Sequence, residues 1–344
     1  MLILLLTLLN YFNMKDAQKE TEFYKKPFKF SYSSLNKLLF SPSLFYKDYI
    51  LQDREEKIEK YLIEGRLIHC LLFEPESLAD KFKVVPEKTP TDNVRRILYR
   101  LNELAEVNQN LLSTDKEWTD LILQVLVDHN LYQSLKKDEA RLAKIQTNSN
   151  VSYWKFISNP LVDVIDVDTL DKCKGHIDVL MENDDVAKLL IENGSDFALD
   201  PITSFTEKKL ECELKDYIFG LKGIVDHYEI NTETKEITIC DLKTTSKSIK
   251  NFAETVEFYN YWLQAAVYSK LVYENHKKEC DNYKILFKFI VIDRYKQVYI
   301  FDVSDETLSL WANEFTNVLH QANHHYTNNN YSLPYAFLTG KITL

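Results

Sequence analysis

The sequence is poor in glycine, in paired cysteines and in positive charge. Six glycines stand beside 21 tyrosines and 19 phenylalanines in 344 residues, which predicts packed helices and aromatic-rich strands. Five cysteines without a paired spacing indicate free thiols in a reducing compartment and exclude a zinc finger. Basic residues number 42 against 52 acidic ones, for a net charge of −10. This balance excludes a protein coated with positive potential, although it leaves room for a local basic groove.

Long apolar runs and nucleotide-binding loops are also missing. The amino-terminal run MLILLLTLLNYFNMK is too short to span a bilayer, lacks a basic start and has no small-residue cleavage site. We therefore expect no membrane partner and a cytoplasmic protein. Two interpretations of residues 1–13 stay open: translation begins at Met14, or these residues form a helix on the surface. Because these 344 residues contain no Walker P-loop, we expect no fused ATP-driven helicase.

Helical periodicity dominates the first half of the chain. Ser33 and the pair Ser41-Pro42 are expected to start two short helices. A helix is predicted over residues 55–75, with Ile58, Leu62, Gly65, His69 and Leu72 on one side. Residues 92–150 are charged and helical in pattern, which we interpret as an inserted helical layer.

In the second half of the chain, apolar residues recur at every second position. KKLECELKDYIFGLKGIVDHYEI and KEITICDLKTT alternate on either side of NTETK, which predicts a hairpin. A helical segment, two more strands, KILFKFIVID and QVYIFDVS, and a final helix follow. This order of strands and helices indicates an α/β or α+β fold.

The second hairpin strand carries Asp241 and Lys243, whose side chains share a face because they are two residues apart. If Asn231 pairs with Glu236, Asp226 lies directly opposite Asp241, about 5 Å away. Two opposed carboxylates repel each other unless a cation binds between them, and their oxygens suit Mg²⁺ or Mn²⁺. A neighbouring lysine can hold water or stabilise a phosphoryl oxygen, as phosphodiester hydrolysis requires. The alternative is an exposed hairpin with ordinary solvated charges.

This pattern resembles the signature of the PD-(D/E)XK nuclease superfamily. Asp226 matches the first acid, Asp241 the second and Lys243 the lysine, while Val225 stands where the motif has a proline. The resemblance implies that both acids, together with the backbone carbonyl of Leu242, are metal ligands. The ending DLKTT is typical of the RecB and RecE-like branch.

Three further segments resemble that branch. EGRLIHCLLFEP provides its G-x-x-x-H pattern, which implies that His69 is another metal ligand. Gln264 and Tyr268 match its Q-x-x-x-Y pattern and project from one helix face. The resemblance implies that both belong to the catalytic site, and simple packing is the alternative for Tyr268. SYSSLNKLLF resembles its serine-rich amino-terminal motif, so Ser33 is expected at the DNA. A glutamate beside the site is also common in the branch, and Glu211 and Glu213 stay open as alternatives for it.

The resemblance implies a central mixed β-sheet of restriction-endonuclease-like type, flanked by helices and with a helical amino-terminal layer. Residues 14–344 would form a single nuclease domain, with a helical insertion at about 92–150 and a core at about 195–305. An iron–sulfur cluster, which a subgroup of this branch binds, needs four thiolates. We expect none, because only Cys280 lies beyond Cys240.

The implied activity is that of a phage-type, exonuclease VIII-like enzyme in recombination or replication. It would degrade duplex DNA from an end with Mg²⁺ or Mn²⁺, leaving a strand for a single-strand annealing protein. Lys247 and Lys250 would contact the DNA backbone, and several copies would close into a ring. A restriction-type or structure-specific endonuclease of the same fold, and a catalytically inactive DNA-binding relative, are the alternatives.

Overall fold

A computed structural model describes residues 19, 21–25, 27–54, 60–86, 88–105, 109–158, 163–190, 201–340 and 342. The chain divides into two compact units, Met1–Ile58 with Asp178–Leu344 and Glu59–Ile177. The predictions for residues 1–13, and the expected start of the core at 195, lie outside the described residues. Within the described part of the chain, no helix combines the length and the hydropathy that crossing a membrane would require.

A mixed six-stranded sheet organises the first unit. Its strands are β1 (Lys29–Phe30), β4 (Ile202–Glu213), β5 (Gly220–Asn231), β6 (Glu236–Thr245), β7 (Lys284–Asp293) and β8 (Val298–Val303). The order is β1-β5-β6-β7-β8, with β4 pairing antiparallel to β5. β5 and β6 are antiparallel, whereas β6 and β7 are parallel and need the helical crossover between them. The predicted mixed sheet flanked by helices is confirmed.

Helices flank this sheet. Those of the first unit are α1 (Tyr32–Phe40), α2 (Pro42–Phe45), α10 (Asp184–Leu190), α11 (Phe252–Phe258), α12 (Tyr261–His276), α13 (Asp305–Asn328) and α14 (Tyr335–Thr339). α12 places Leu263, Val267 and Leu271 in the buried core that the inward side chains of the strands complete. Burying such side chains contributes roughly 1.5–3 kcal/mol each. This core therefore fixes α12 against the strands that carry the candidate site.

The second unit is mostly helical. It contains α3 (Lys60–Phe73), α4 (Leu78–Lys81), α5 (Asp92–Leu104), α6 (Lys116–Asp128), α7 (Asp138–Ile145), α8 (Asn148–Ile157) and the start of α9 (Val167–Glu182). β2 (Phe82–Val84) and β3 (Asp163–Ile165) form a short parallel pair. A separate apolar core, with the edge-packed Trp118 and Trp154, holds α5 to α8 together.

Three local predictions are wrong. The segment expected to form one strand before NTETK forms two, β4 and β5, with a connection at 214–219. α1 is capped by Ser31, whose side chain accepts from the Ser34 amide, rather than by Ser33; Ser41 caps α2 as expected. On α3 the buried side chains are Ile63, Leu67, Ile68 and Cys70, whereas Leu62 is 42% exposed. The side of α3 that carries His69 is therefore not the apolar one.

Candidate active site

Asp241 and Lys243 lie on the face of β6 that also carries the core residue Ile239. The Asp241 side chain is fully buried, and its Oδ2 lies 2.5 Å from the Lys243 Nζ. Burial alone would lower the pKa of Lys243, but the charges of Asp241 and Asp226 outweigh it and raise that pKa. The lysine is therefore a cation in this site. Its Nζ also lies 4.6 Å from the ring centre of Tyr261, a cation–π contact that sequence reasoning missed.

α12 supplies the other side chains around Asp241. The Gln264 Nε2 donates to the Asp241 Oδ1 at 2.8 Å and to the Tyr268 hydroxyl oxygen at 3.0 Å. Gln264 and Tyr268 are four residues apart, so they project from one helix face as expected. Burial, with the nearby charges of Asp226 and Asp241, raises the pKa of Tyr268 well above its ordinary value. Tyr268 is therefore a neutral hydroxyl group.

Asp226 lies where the β5–β6 pairing stops. Asn231 pairs with Glu236, and the ladder continues in the predicted register to His227 and Cys240. Beyond this pair, the Asp226 Oδ2 accepts the backbone N–H of Leu242 at 2.9 Å. A carboxylate thus takes a bond that a regular ladder would give to a backbone carbonyl.

Glu207 is the acid that sequence reasoning missed. It lies opposite Asp226, between the paired positions Thr206–His227 and Lys208–Val225. One carboxylate oxygen of each comes within 4.8 Å of the other. Its φ of 46° is in the left-handed region, at a cost of about 1–3 kcal/mol for a non-glycine residue. Strain held at such a position often serves a site.

The strand pattern changes phase at this same point. Buried side chains on β5 follow odd positions up to Val225 and even positions from Tyr228. On β4 the inward positions shift between Phe205 and Leu210. Glu207 could therefore be predicted only by dividing the segment before NTETK into two antiparallel strands. The two glutamates considered from the sequence, Glu211 and Glu213, are exposed and pair with Lys29 at 2.6 and 3.3 Å.

The remaining predicted residues lie on other elements of the chain. His69 is half-buried on α3 in the second unit, with its ring 5.8 Å from that of Phe73. Lys247 and Lys250 are exposed after the end of β6, and Ser33 is exposed on α1. Their assignment to metal and DNA stays a prediction.

The donor set fits a hard divalent cation. Glu207 and Asp226 place carboxylate oxygens within 4.8 Å of each other, and such oxygens are the ligands that Mg²⁺ and Mn²⁺ prefer. A carboxylate has about four acceptor sites, so the contacts of Asp241 with Lys243 and Gln264 are compatible with an ion on the same group.

Comparison with known proteins agrees with this chemistry. A family model of the PD-(D/E)XK nuclease superfamily matches residues 29–331, and the chain belongs to that superfamily. Among solved structures, the chain is similar to a candidate exonuclease from Eubacterium rectale. The identity is 13% and the TM-score 0.43, over 92% of this chain and 84% of the other. The comparison with curated proteins gave no match. Members of this superfamily are nucleases that use divalent metals, and Glu207 and Asp226 offer carboxylate ligands for one.

Proposed function

We propose that the protein is a metal-dependent DNA exonuclease of the RecE-like branch, which hydrolyses duplex DNA from its ends. The observation that carries the proposal is the buried Asp241, held by Lys243 on one side and on the other by Gln264, which also donates to Tyr268. Asp226 supplies a second carboxylate where the β5–β6 ladder stops. The resemblance to the RecE-like sequence pattern selects the branch within the superfamily.

Asp226, Asp241, Glu207, the Leu242 carbonyl and His69 would hold the cation, which we propose to be Mg²⁺ or Mn²⁺. When bound, such an ion lowers the pKa of a coordinated water and neutralises charge on a phosphoryl oxygen. Glu207 and Asp226 converge within unit one, so their role is testable apart from that of His69.

Lys243 would stabilise the charge that develops on the phosphoryl oxygens and would orient the attacking water. Its ammonium is fixed between the Asp241 carboxylate and the Tyr261 ring, so it needs little reorganisation during the reaction. Gln264 would act as a positioning residue, because its amide fixes the orientation of the Asp241 carboxylate.

Cleavage of end-labelled linear duplex and closed-circular duplex, each with Mg²⁺ or Mn²⁺, tests the proposal. An exonuclease releases label from linear DNA in order from one end and leaves closed circles intact. Nicking or linearisation of the circles would instead identify an endonuclease. Binding of DNA without cleavage under both metals would identify the inactive relative.

The RecE-like branch also suggests a ring of several copies and a single-strand annealing protein as partner. The native mass in solution, measured by light scattering, tests the ring. A monomeric mass with full processivity on long duplex DNA would remove the ring from the proposal.

A further inference from the structure

Three aromatic side chains extend outward from the candidate site. We call Phe258, Tyr259 and Tyr261 the aromatic ledge. Tyr261 contacts Lys243, and the Tyr259 ring stacks on it at 5.6 Å with an interplanar angle of 24°. Phe258 meets Tyr259 edge-on at 4.9 Å. Phe258 is 73% exposed and Tyr259 45% exposed, so the ledge leads from the lysine into solvent.

The backbone under the ledge is held in place. The Tyr32 hydroxyl donates to the Tyr259 carbonyl at 2.6 Å, and the Asn36 amide reaches the same oxygen at 3.4 Å. Asn260 adopts a left-handed conformation with φ of 55°, which asparagine tolerates, and its side chain donates to the Asn36 Oδ1 at 2.8 Å. The exposed rings therefore stand on a fixed turn between α11 and α12.

The exposed rings of Phe258 and Tyr259 add little to the core, which other, buried side chains form. A contiguous exposed aromatic surface marks an interaction site. Its position selects the partner, because the ledge touches Lys243 and Lys243 touches Asp241. Whatever lies on the ledge is therefore close to the proposed catalytic residues Lys243 and Asp241.

The mixed charges around the ledge favour a nucleic acid bound mainly through its bases rather than through its phosphates alone. The Lys247 Nζ lies 5.4 Å from the Phe258 ring centre and can meet a phosphate. The exposed Glu254 and Glu257 lie on the same helix as Phe258, so the surface is not uniformly cationic. Flat rings rather than general positive charge are what the ledge offers, and bases stack on such rings irrespective of sequence.

We infer that the aromatic ledge stacks the unpaired bases of the DNA strand beside the cleaved phosphate. The inference rests on the proposed nuclease function and deepens it. Opening the terminal base pairs of a duplex would be compensated by stacking on Phe258 and Tyr259, and a closed circle offers no such frayed bases. The ledge would therefore contribute to a preference for ends.

The test compares the double variant Phe258→Ala/Tyr259→Ala with the wild type on two frayed-end duplexes, one natural and one with abasic terminal nucleotides. We expect the double variant to lose about tenfold or more in kcat/KM on the natural end, the range for losing stacking on one or two bases. The wild type should lose a similar factor on the abasic end, and the double variant should be almost insensitive to the abasic change. Phe258→Trp should retain the wild-type ratio.

Phe337→Ala is the matched control, because Phe337 is also exposed, at 55%, but lies on α14. It should keep the wild-type ratio of natural to abasic cleavage. An equal loss by the double variant on natural and abasic ends would overturn the inference, since a ledge that only supports the fold does not sense bases.

A binding measurement distinguishes failure of this inference from failure of the proposed function. In an Asp241→Asn background, fluorescence anisotropy of a short single-stranded oligonucleotide and of its abasic counterpart reports stacking without cleavage. Loss of the preference for the natural oligonucleotide in the double variant supports the ledge even if the wild type cleaves no DNA. Unchanged preference overturns the ledge even if the wild type proves to be an exonuclease.

Discussion

The β5–β6 pair has a regular hydrogen-bond ladder at its turn end and an interrupted ladder at its other end. At the turn end, Ile230 faces Ile237 and Tyr228 faces Ile239, with buried side chains and a regular ladder. At the other end the ladder stops, and backbone and side-chain bonds go to Asp226 and Asp241. Regular pairing stabilises the sheet, and its interruption frees strand positions for charged groups.

Within the strands of this region, backbone strain is found at the interrupted end. Glu207 holds a left-handed φ inside β4, opposite Asp226, whereas at the turn end a left-handed φ occurs at Lys235, in the turn outside the two strands. Strain and buried charge both oppose folding. We therefore expect substitutions at the interrupted end to act on catalysis and substitutions at the turn end to act on stability.

Asp241→Asn should show the largest effect at the interrupted end. Losing a ligand of the cation removes several kcal/mol of transition-state stabilisation, which corresponds to about a thousandfold or more in cleavage rate. Added Mg²⁺ should raise the melting temperature of the wild type by ligand linkage and that of the variant much less. Equal Mg²⁺ responses would show that the ion binds elsewhere.

Asp241→Ala is the weaker test, although it removes a like charge from the neighbourhood of Asp226. It also leaves the Lys243 ammonium and the Gln264 amide without their Asp241 acceptor. Breaking a buried pair costs about 3–5 kcal/mol. We expect this variant to melt below the wild type, which thermal denaturation in EDTA measures.

Lys243→Ala should lower turnover by about a hundredfold or more, because it removes a preorganised charge-stabilising group. Mg²⁺ binding should survive, since the cation is no ligand. Lys243→Arg should not restore full activity, because the wider guanidinium cannot take the same place between Asp241 and Tyr261. Single-turnover cleavage by both variants within a few-fold of wild type would show that Lys243 is an ordinary strand-end lysine.

Glu207→Gln should have an intermediate effect and decides which glutamate belongs to the site. We expect a loss of about 10–100-fold in metal affinity or activity, as for other groups that support a metal site. Glu211→Gln and Glu213→Gln are the controls, because both side chains are exposed and paired with Lys29. A Mg²⁺ titration of cleavage that shifts for Glu211→Gln instead of Glu207→Gln would reverse the assignment.

Ile237→Val should have the smallest effect and only at the turn end. Removing one buried methylene group from a 1%-exposed side chain costs about 0.5–1.5 kcal/mol of stability. Cleavage per folded molecule should not change, because Ile237 lies at the turn end of β6, four residues before Asp241. Urea denaturation and the rate at saturating Mg²⁺ measure the two quantities, and a tenfold loss of rate would erase the distinction between the two ends.

Local patterns were sufficient for much of the site. The alternation of β6 placed Asp241 and Lys243 on one face of that strand. The four-residue spacing placed Gln264 and Tyr268 on one face of helix α12. The hairpin register followed from the turn at NTETK and holds up to His227 and Cys240. His69 could be named only by resemblance, and its role as a ligand stays a prediction.

The sequence by itself determined the face of β6 that carries Asp241 and Lys243, the hairpin register and the helix that follows, because these depend on spacing within short segments. Tertiary structure decided the rest. Glu207 joins Asp226 because β4 folds back along β5 and both strands change phase at the same position. Tyr261 meets Lys243 because the core packs α12 against β6. Such partners lie far apart in the chain, and no local period encodes which side chains a fold will bring together.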